Sequence, residues 1–121
     1  CVLWSLIFIF WKIILERNME DLTLRKLSQY IKENDFHPDR KHSYLMKLVE
    51  EVGELSQMIR KVDFKNEKCR LKDTGQIKDT LEEELYDVLY YVVALANLYD
   101  VDLEECFRLK EDYNKSKYKH D

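Results

Sequence analysis

The sequence predicts an all-α protein, and three observations carry that expectation. Only 2 glycines and 1 proline punctuate 121 residues, too little turn material for the repeated tight reversals of a sheet protein. Charged residues make up 36% of the chain, which suits helices with one wet face. Apolar residues recur three and four apart rather than in alternation, as Leu45, Leu48, Val52, Leu55, Ile59 and Val62 do in one stretch and Leu81, Leu85, Val88, Val92 and Ala96 in another. A chain of this length holds one domain. The spacing predicts helices at about 22–33, 43–62, 77–99 and 102–117, arranged as a four-helix bundle.

Residues 1–18 stand apart from this pattern. Cys1 to Leu15 is almost continuously apolar, shorter than the roughly 20 residues that span a bilayer, and without a basic leader or a small-residue cleavage site. Three readings stay open for it: a non-native or upstream-translated extension ahead of Met19, a membrane-associating anchor, or a packing segment. Membrane contact is not expected outside 1–15, and the helical domain is expected over 19–121.

Asp21 or Thr23 can cap the first helix of that domain, whose inner positions are Leu22, Leu24, Leu27, Tyr30 and Ile31. Phe36-His37-Pro38-Asp39 reads as a loop, because Pro38 biases His37 away from the helical region. Ser43 is the expected cap of the next helix. Gly53 inside it costs up to ~1 kcal/mol relative to Ala, which suggests that another helix approaches there. The polar run Lys65 to Lys78, containing Gly75, reads as a connection with one short helical turn. The following helix is apolar on more than one face, and Tyr86, Tyr90, Val93 and Asn97 line the side where a monomer would show charge. A subunit contact at Tyr86, Tyr90 and Val93 is the simplest cover. Asp100 or Asp102 starts the last helix, with Leu103, Cys106, Phe107 and Leu109 as its expected inner face.

Two stretches carry chemistry. Projected at about 100° per residue, Glu51 and Glu84 each fall at the border of an apolar arc, with Glu54 and Asp87 one turn further on. Glu83 lies opposite its arc, where a surface acid belongs. If the two helices pack through their arcs, Glu51, Glu54, Glu84 and Asp87 converge on one half-buried spot, where like charges repel unless a cation neutralises them. Oxygen ligands without His or Cys suit Mg²⁺, with Mn²⁺ as a substitute, far better than Zn²⁺.

The pattern Glu50-Glu51-x-x-Glu54 followed by Glu84-x-x-Asp87 resembles the MazG-like all-α nucleoside triphosphate pyrophosphohydrolases. Leu48 to Leu55, Asp87 to Ala96 and the tail Lys110 to Tyr118 are similar to that family's three signature blocks, so the resemblance covers about 22–118. It implies Mg²⁺-dependent hydrolysis of a (d)NTP to the monophosphate and pyrophosphate, in nucleotide-pool cleansing, on a four-helix scaffold that assembles into dimers or tetramers. Glu50 then joins Glu51 as a catalytic candidate, and Lys110 and Asn114 become phosphate contacts. The loop holding Phe36 and His37 can lie over the base, which makes both candidates for stacking on it, though the plainer reading for either is an aromatic tucked onto the core. Lys47 can bind phosphate or merely pair with Glu51 at i, i+4. The connection Asp63 to Ile77 is long for a compact member.

A rival reading is a non-catalytic helical oligomerisation or interaction protein whose acids form a solvated face. The formal net charge of −4 argues against nucleic acid as a partner. Cys1, Cys69 and Cys106 show no metal-binding spacing and fit a reducing cytoplasm. Cys106 reads as a small packing residue rather than a nucleophile.

Overall fold

The computed structural model describes residues 2–118, with the side chains of 13–20 outside that description; Cys1 also lies outside it. Six α-helices follow one another: α1 (Val2–Glu20), α2 (Leu24–Asn34), α3 (Lys41–Asp63), α4 (Leu71–Thr74), α5 (Leu81–Leu98) and α6 (Leu103–Tyr118), with a 3₁₀ turn at Pro38–Arg40 before α3. No strand occurs among the described residues. The four expected helices are α2, α3, α5 and α6, and the short turn expected in the connection is α4.

Local chemistry explains most boundaries. Thr23 caps α2, its hydroxyl accepting from the Lys26 amide at 3.1 Å. Ser43 is not the cap of α3: Pro38, at the start of the 3₁₀ turn, lets the helix run on directly from Arg40, and Ser43 falls inside it. Gly75 closes α4 in the left-handed conformation at φ 71°. α5 begins four residues later than the periodicity suggests, because Thr80 accepts from the Glu83 amide at 3.2 Å while Glu83 reaches back to the Asp79 amide at 2.6 Å. This reciprocal box fixes the start of the helix. Glu83 is therefore a half-buried capping residue, not the freely solvated acid that its helical projection suggests. Asp102 caps α6, accepting from the amides of Glu104 and Glu105.

α3 and α5 form the central pair and run antiparallel, since Glu51 meets Glu84 while the Tyr44 ring lies edge-on to Tyr91 with centroids 6.4 Å apart. Their seam is Tyr44, Leu48, Glu51, Leu55, Met58 and Val62 against Leu81, Glu84, Val88, Tyr91, Leu95 and Leu98. α2 covers one side of the pair, where Ile31, Val93 and Ala94 are fully buried and Asn97 exchanges hydrogen bonds with Ser28. α6 packs on α2 near its start through Leu103.

The apolar arcs are consequently rotated from the expected ones. Leu45, Val52 and Ile59 are 46%, 48% and 40% exposed, and Leu85 and Val92 are 51% and 39% exposed. Each helix carries two apolar stripes one position apart, and only one of them faces the in-chain partner. The face expected to carry a subunit contact, Tyr86, Tyr90 and Val93, is largely covered within the chain itself. Val93 is fully buried beneath α2 and Tyr90 is hydrogen-bonded to Asp35, which leaves only Tyr86 half exposed. Among the described residues no other helix comes within 4 Å of the place a side chain at Gly53 would take, so the expected close approach is not made within this chain's described part. Cys106, Phe107 and Leu109 are exposed rather than an inner face, because α6 departs from the core after its first turn.

In α1, Val2 to Lys12 are all exposed, and all but Ser5 and Lys12 are apolar. Among the described residues no helix is long and apolar enough to cross a membrane. Among the described residues the hydrophobic core is built from α2, α3, α5 and α6, and the first cap of that core is Thr23. A chain starting at Met19 is accordingly expected to fold, assemble and hydrolyse as the full chain does; insoluble expression or lost activity in that truncation would show that the leading segment is structural.

Candidate metal and nucleotide site

Two acids occupy positions in the α3–α5 seam where every other turn places an apolar side chain. Glu51 stands between Leu48 and Leu55, and Glu84 between Leu81 and Val88. One carboxylate oxygen each from Glu51, Glu54 and Glu84 lies within 4.8 Å of the others, close enough for one cation to touch all three. Glu54 is exposed, so the cluster opens to solvent on its side. Asp87, one turn beyond Glu84 and half-buried, lies beside this set rather than in it. Glu50 points away from the seam, and its carboxylate pairs with Lys47 at 3.4 Å. Lys47 thus does not make the i, i+4 pair with Glu51 that its spacing allows.

The electrostatics are those of an uncompensated acidic nest. Glu51 Oε2 and Glu84 Oε2 are buried and have no hydrogen-bond partner, a costly state for a carboxylate. Burial first, and then Glu54, Asp87, Glu51 and Glu83, push the Glu84 acid up to about 7. Burial and Glu54 push Glu51 up as well, and burial with Glu83 and Glu54 does the same to Asp87. Orphaned, oxygen-only, converging anions match a hard divalent cation; no nitrogen or sulfur donor stands among them to favour zinc.

Beside the acids lies a pocket of about 240 Å³ lined by Asp35, His37, Arg40, Ser43, Tyr44, Lys47 and Tyr91. Tyr91 joins the two regions: burial foremost makes its hydroxyl a weaker acid than usual, Lys47 opposes this, and the charges of Glu51, Asp35 and Asp87 add to it. His37 lines this pocket and Phe36 does not; Phe36 turns its ring toward Lys32, whose Nζ is 5.5 Å from the ring centroid. Lys110 and Asn114 line neither the pocket nor the acidic cluster within this chain, and the Lys110 ammonium sits over the Tyr113 ring at 4.8 Å.

Sequence reasoning missed Asp35, Tyr44 and Tyr90. Asp35 follows α2 as its C-cap residue and receives the Tyr44 hydroxyl on Oδ1 and the Tyr90 hydroxyl on Oδ2, the latter at 2.6 Å. A partial signal was present for the seam tyrosines. Tyr44 precedes Glu51 by seven residues and Tyr91 follows Glu84 by seven, so in an antiparallel pair the two rings must meet two turns from the acids.

An all-α chain whose antiparallel helix pair gathers carboxylates from both helices, Glu51 and Glu54 from α3 and Glu84 from α5, has the donor set of a helical divalent-cation site. The chain belongs to the MazG nucleotide pyrophosphohydrolase domain family, which it matches over residues 39–120. It is 36% identical over 108 residues to rat dCTP pyrophosphatase 1, covering 85% of this chain and 60% of that protein. It is also 36% identical over 93 residues to the uncharacterized protein YpjD of Bacillus subtilis, covering 74% of this chain and 77% of that one. The chain spans about 60% of the length of the curated dCTP pyrophosphatases it matches. Among solved structures, iMazG from Vibrio DAT 722 superposes with a TM-score of 0.66 at 47% identity, over 78% of this chain and 99% of iMazG.

Proposed function

We propose that this chain is a Mg²⁺-dependent nucleoside triphosphate pyrophosphohydrolase that converts a (d)NTP to the monophosphate and pyrophosphate, in nucleotide-pool cleansing. The observation that carries the reading is the pair of buried, partnerless carboxylate oxygens on Glu51 and Glu84. A solvated acidic face, the rival explanation, gives no reason to seat acids between Leu48 and Leu55 and between Leu81 and Val88.

Glu51, Glu54 and Glu84 would hold the ion, with Asp87 beside them. A Mg²⁺ bound there supplies positive charge for the triphosphate oxygens and makes a neighbouring water more acidic. Glu51, half-buried and with one carboxylate oxygen left without a partner, would orient that water or take its proton. Lys47, exposed on the same side and paired only with Glu50, can turn to a phosphate. The pocket walled by His37, Tyr44 and Tyr91 takes the nucleoside. Lys110 and Asn114 would reach phosphate only from a neighbouring copy or after movement of α6. The half-buried Cys69 and exposed Cys106 are both free, as suits a reducing cytoplasm.

Assembly enters through the exposed stripe. In an antiparallel pair, the residues one position after each seam residue project to the same side, so Leu45, Val49, Val52 and Ile59 of α3 lie beside Leu85, Leu89 and Val92 of α5 on the side away from α2. A second copy presenting the same layer would close a four-helix core, and the homo-oligomer is at least a dimer.

The decisive assay is release of pyrophosphate from a panel of dNTPs with and without Mg²⁺. Monophosphate and pyrophosphate in equal amounts, abolished by a chelator, are expected. Orthophosphate release, or no reaction on any nucleotide, would sink the reading.

A further inference from the structure

The pocket beside the acids contains an anion that the phosphates cannot use. Asp35 is fixed from two helices at once, by the Tyr44 hydroxyl of α3 and the Tyr90 hydroxyl of α5. His37 stands 3.9 Å from the same carboxylate. Burial works to raise the Asp35 acid, yet the two hydroxyls and His37 prevail and hold it below its ordinary value, so it is ionised at neutral pH. A clip whose only task was to tie three helices together would be sealed off. This carboxylate side chain is instead 29% exposed and faces the pocket. It has about four lone-pair sites, of which the tyrosines occupy two.

A fixed negative charge repels a triphosphate, so the Asp35 end of the pocket must receive the other end of the nucleotide. The phosphates belong at the Glu51–Glu84 end, and Lys47 and Tyr91 lie between. Being acceptor-only, Asp35 can recognise only a group that carries a proton to donate.

We propose that Asp35 is a specificity-determining residue of this site, its carboxylate accepting a hydrogen bond from a donor on the nucleoside, either the exocyclic amino group of the base or the sugar 3′-hydroxyl, with Tyr44 and Tyr90 as its positioning residues. The inference rests on the pyrophosphohydrolase reading above and adds the chemistry by which that site selects its substrate. When a bound nucleoside covers the Asp35 carboxylate, the wrong nucleotide leaves that acceptor unpaired and shut off from water, and this makes such selection effective, more than the bond gained with the right one.

Two substrate comparisons separate the sources of the donor: dCTP against dUTP exchanges an amino group for a carbonyl, and dCTP against 2′,3′-dideoxy-CTP deletes the 3′-hydroxyl. The unmodified protein should discriminate in one comparison, and Asp35→Asn should reduce that ratio of kcat/KM at least about tenfold, mainly through KM, and leave the other ratio in place. Tyr90→Phe, which keeps the ring packing and removes one positioning hydroxyl, should move the same ratio in the same direction by less, and it serves as the test if Asp35→Asn does not fold. Equal losses on all three nucleotides with a lowered melting temperature, or no discrimination by the unmodified protein, overturn the assignment while leaving hydrolysis itself intact. Absence of hydrolysis on every nucleotide removes the functional reading and this inference together.

Discussion

Glu84→Gln is expected to lower triphosphate hydrolysis at least about a hundredfold, the scale of losing a metal-centred electrostatic term, while leaving the metal-free protein as stable as before or more so. The two effects share one cause. Glu84 Oε2 is buried without a partner, and burial with the charges of Glu54, Asp87, Glu51 and Glu83 raises its acid from 4.5 to about 7. A folded-state value above the unfolded one means that the folded chain holds the extra proton between them. Stability contributed by the protonated form is therefore present below pH 4.5 and lost as pH rises toward about 7. Glu51 and Asp87 are shifted in the same direction. The metal-free melting temperature should thus fall from pH 5 to pH 7.5, and the stabilisation by Mg²⁺ should grow over the same interval, since the ion binds the deprotonated cluster. Glutamine removes one anion and can donate to the Glu51 carboxylate, so the variant should flatten both trends. Glu83→Gln would be a poor control because Glu83 caps α5 through the Asp79 amide. Glu33→Gln, on the exposed face of α2, should alter none of the three readouts. If the two substitutions behaved alike, the acids would be an ordinary wet face and the enzyme reading would go with them.

What the sequence discloses and what it hides divide along physical lines. The helices are legible because each obeys a period near 3.6 and some are bounded by residues with a local reason to start them, Thr23 and Asp102 among them, whereas the start of α5 at Thr80 is hidden because its box closes through the Asp79 amide. The acids are legible because a carboxylate beside Leu48 and Leu55 conflicts with its surroundings, and such conflicts collect where a ligand resolves them. The rotation of the helices is not legible. Leu48, Leu55 and Val62 form one seven-residue stripe and Leu45, Val52 and Ile59 another, and periodicity alone cannot say which faces the same chain. Merging them placed Glu51 at the border of the core when it lies in the seam itself. Asp35 is harder still, since its meaning comes from Tyr44 and Tyr90, the latter 55 residues away, and no local pattern records that meeting.

Val49→Glu and Leu89→Glu, each made singly, are expected to turn the assembly into monomers at micromolar concentration without unfolding the chain. Val49 is 57% exposed and Leu89 45% exposed in the single chain, so a carboxylate there meets water in the monomer and costs the fold little. The antiparallel register that joins Tyr44 to Tyr91 and Glu51 to Glu84 brings Val49 and Leu89 side by side at the middle of the exposed stripe. In a contact between two identical layers, each substitution then buries two unpaired charges, because symmetry applies it twice. An uncompensated buried charge costs several kcal/mol and each 1.4 kcal/mol is tenfold in Kd, so dimerisation should weaken by about a thousandfold or more. Tyr86, which the sequence places at the contact, offers the contrast. If Tyr86→Glu dissociates the assembly and Val49→Glu does not, the contact lies on the face first expected. Light scattering that shows the unmodified protein to be a monomer at the same concentration would remove the interface altogether, and would leave Leu45, Val49, Val52, Leu85, Leu89 and Val92 as an apolar surface that something other than a second copy must cover.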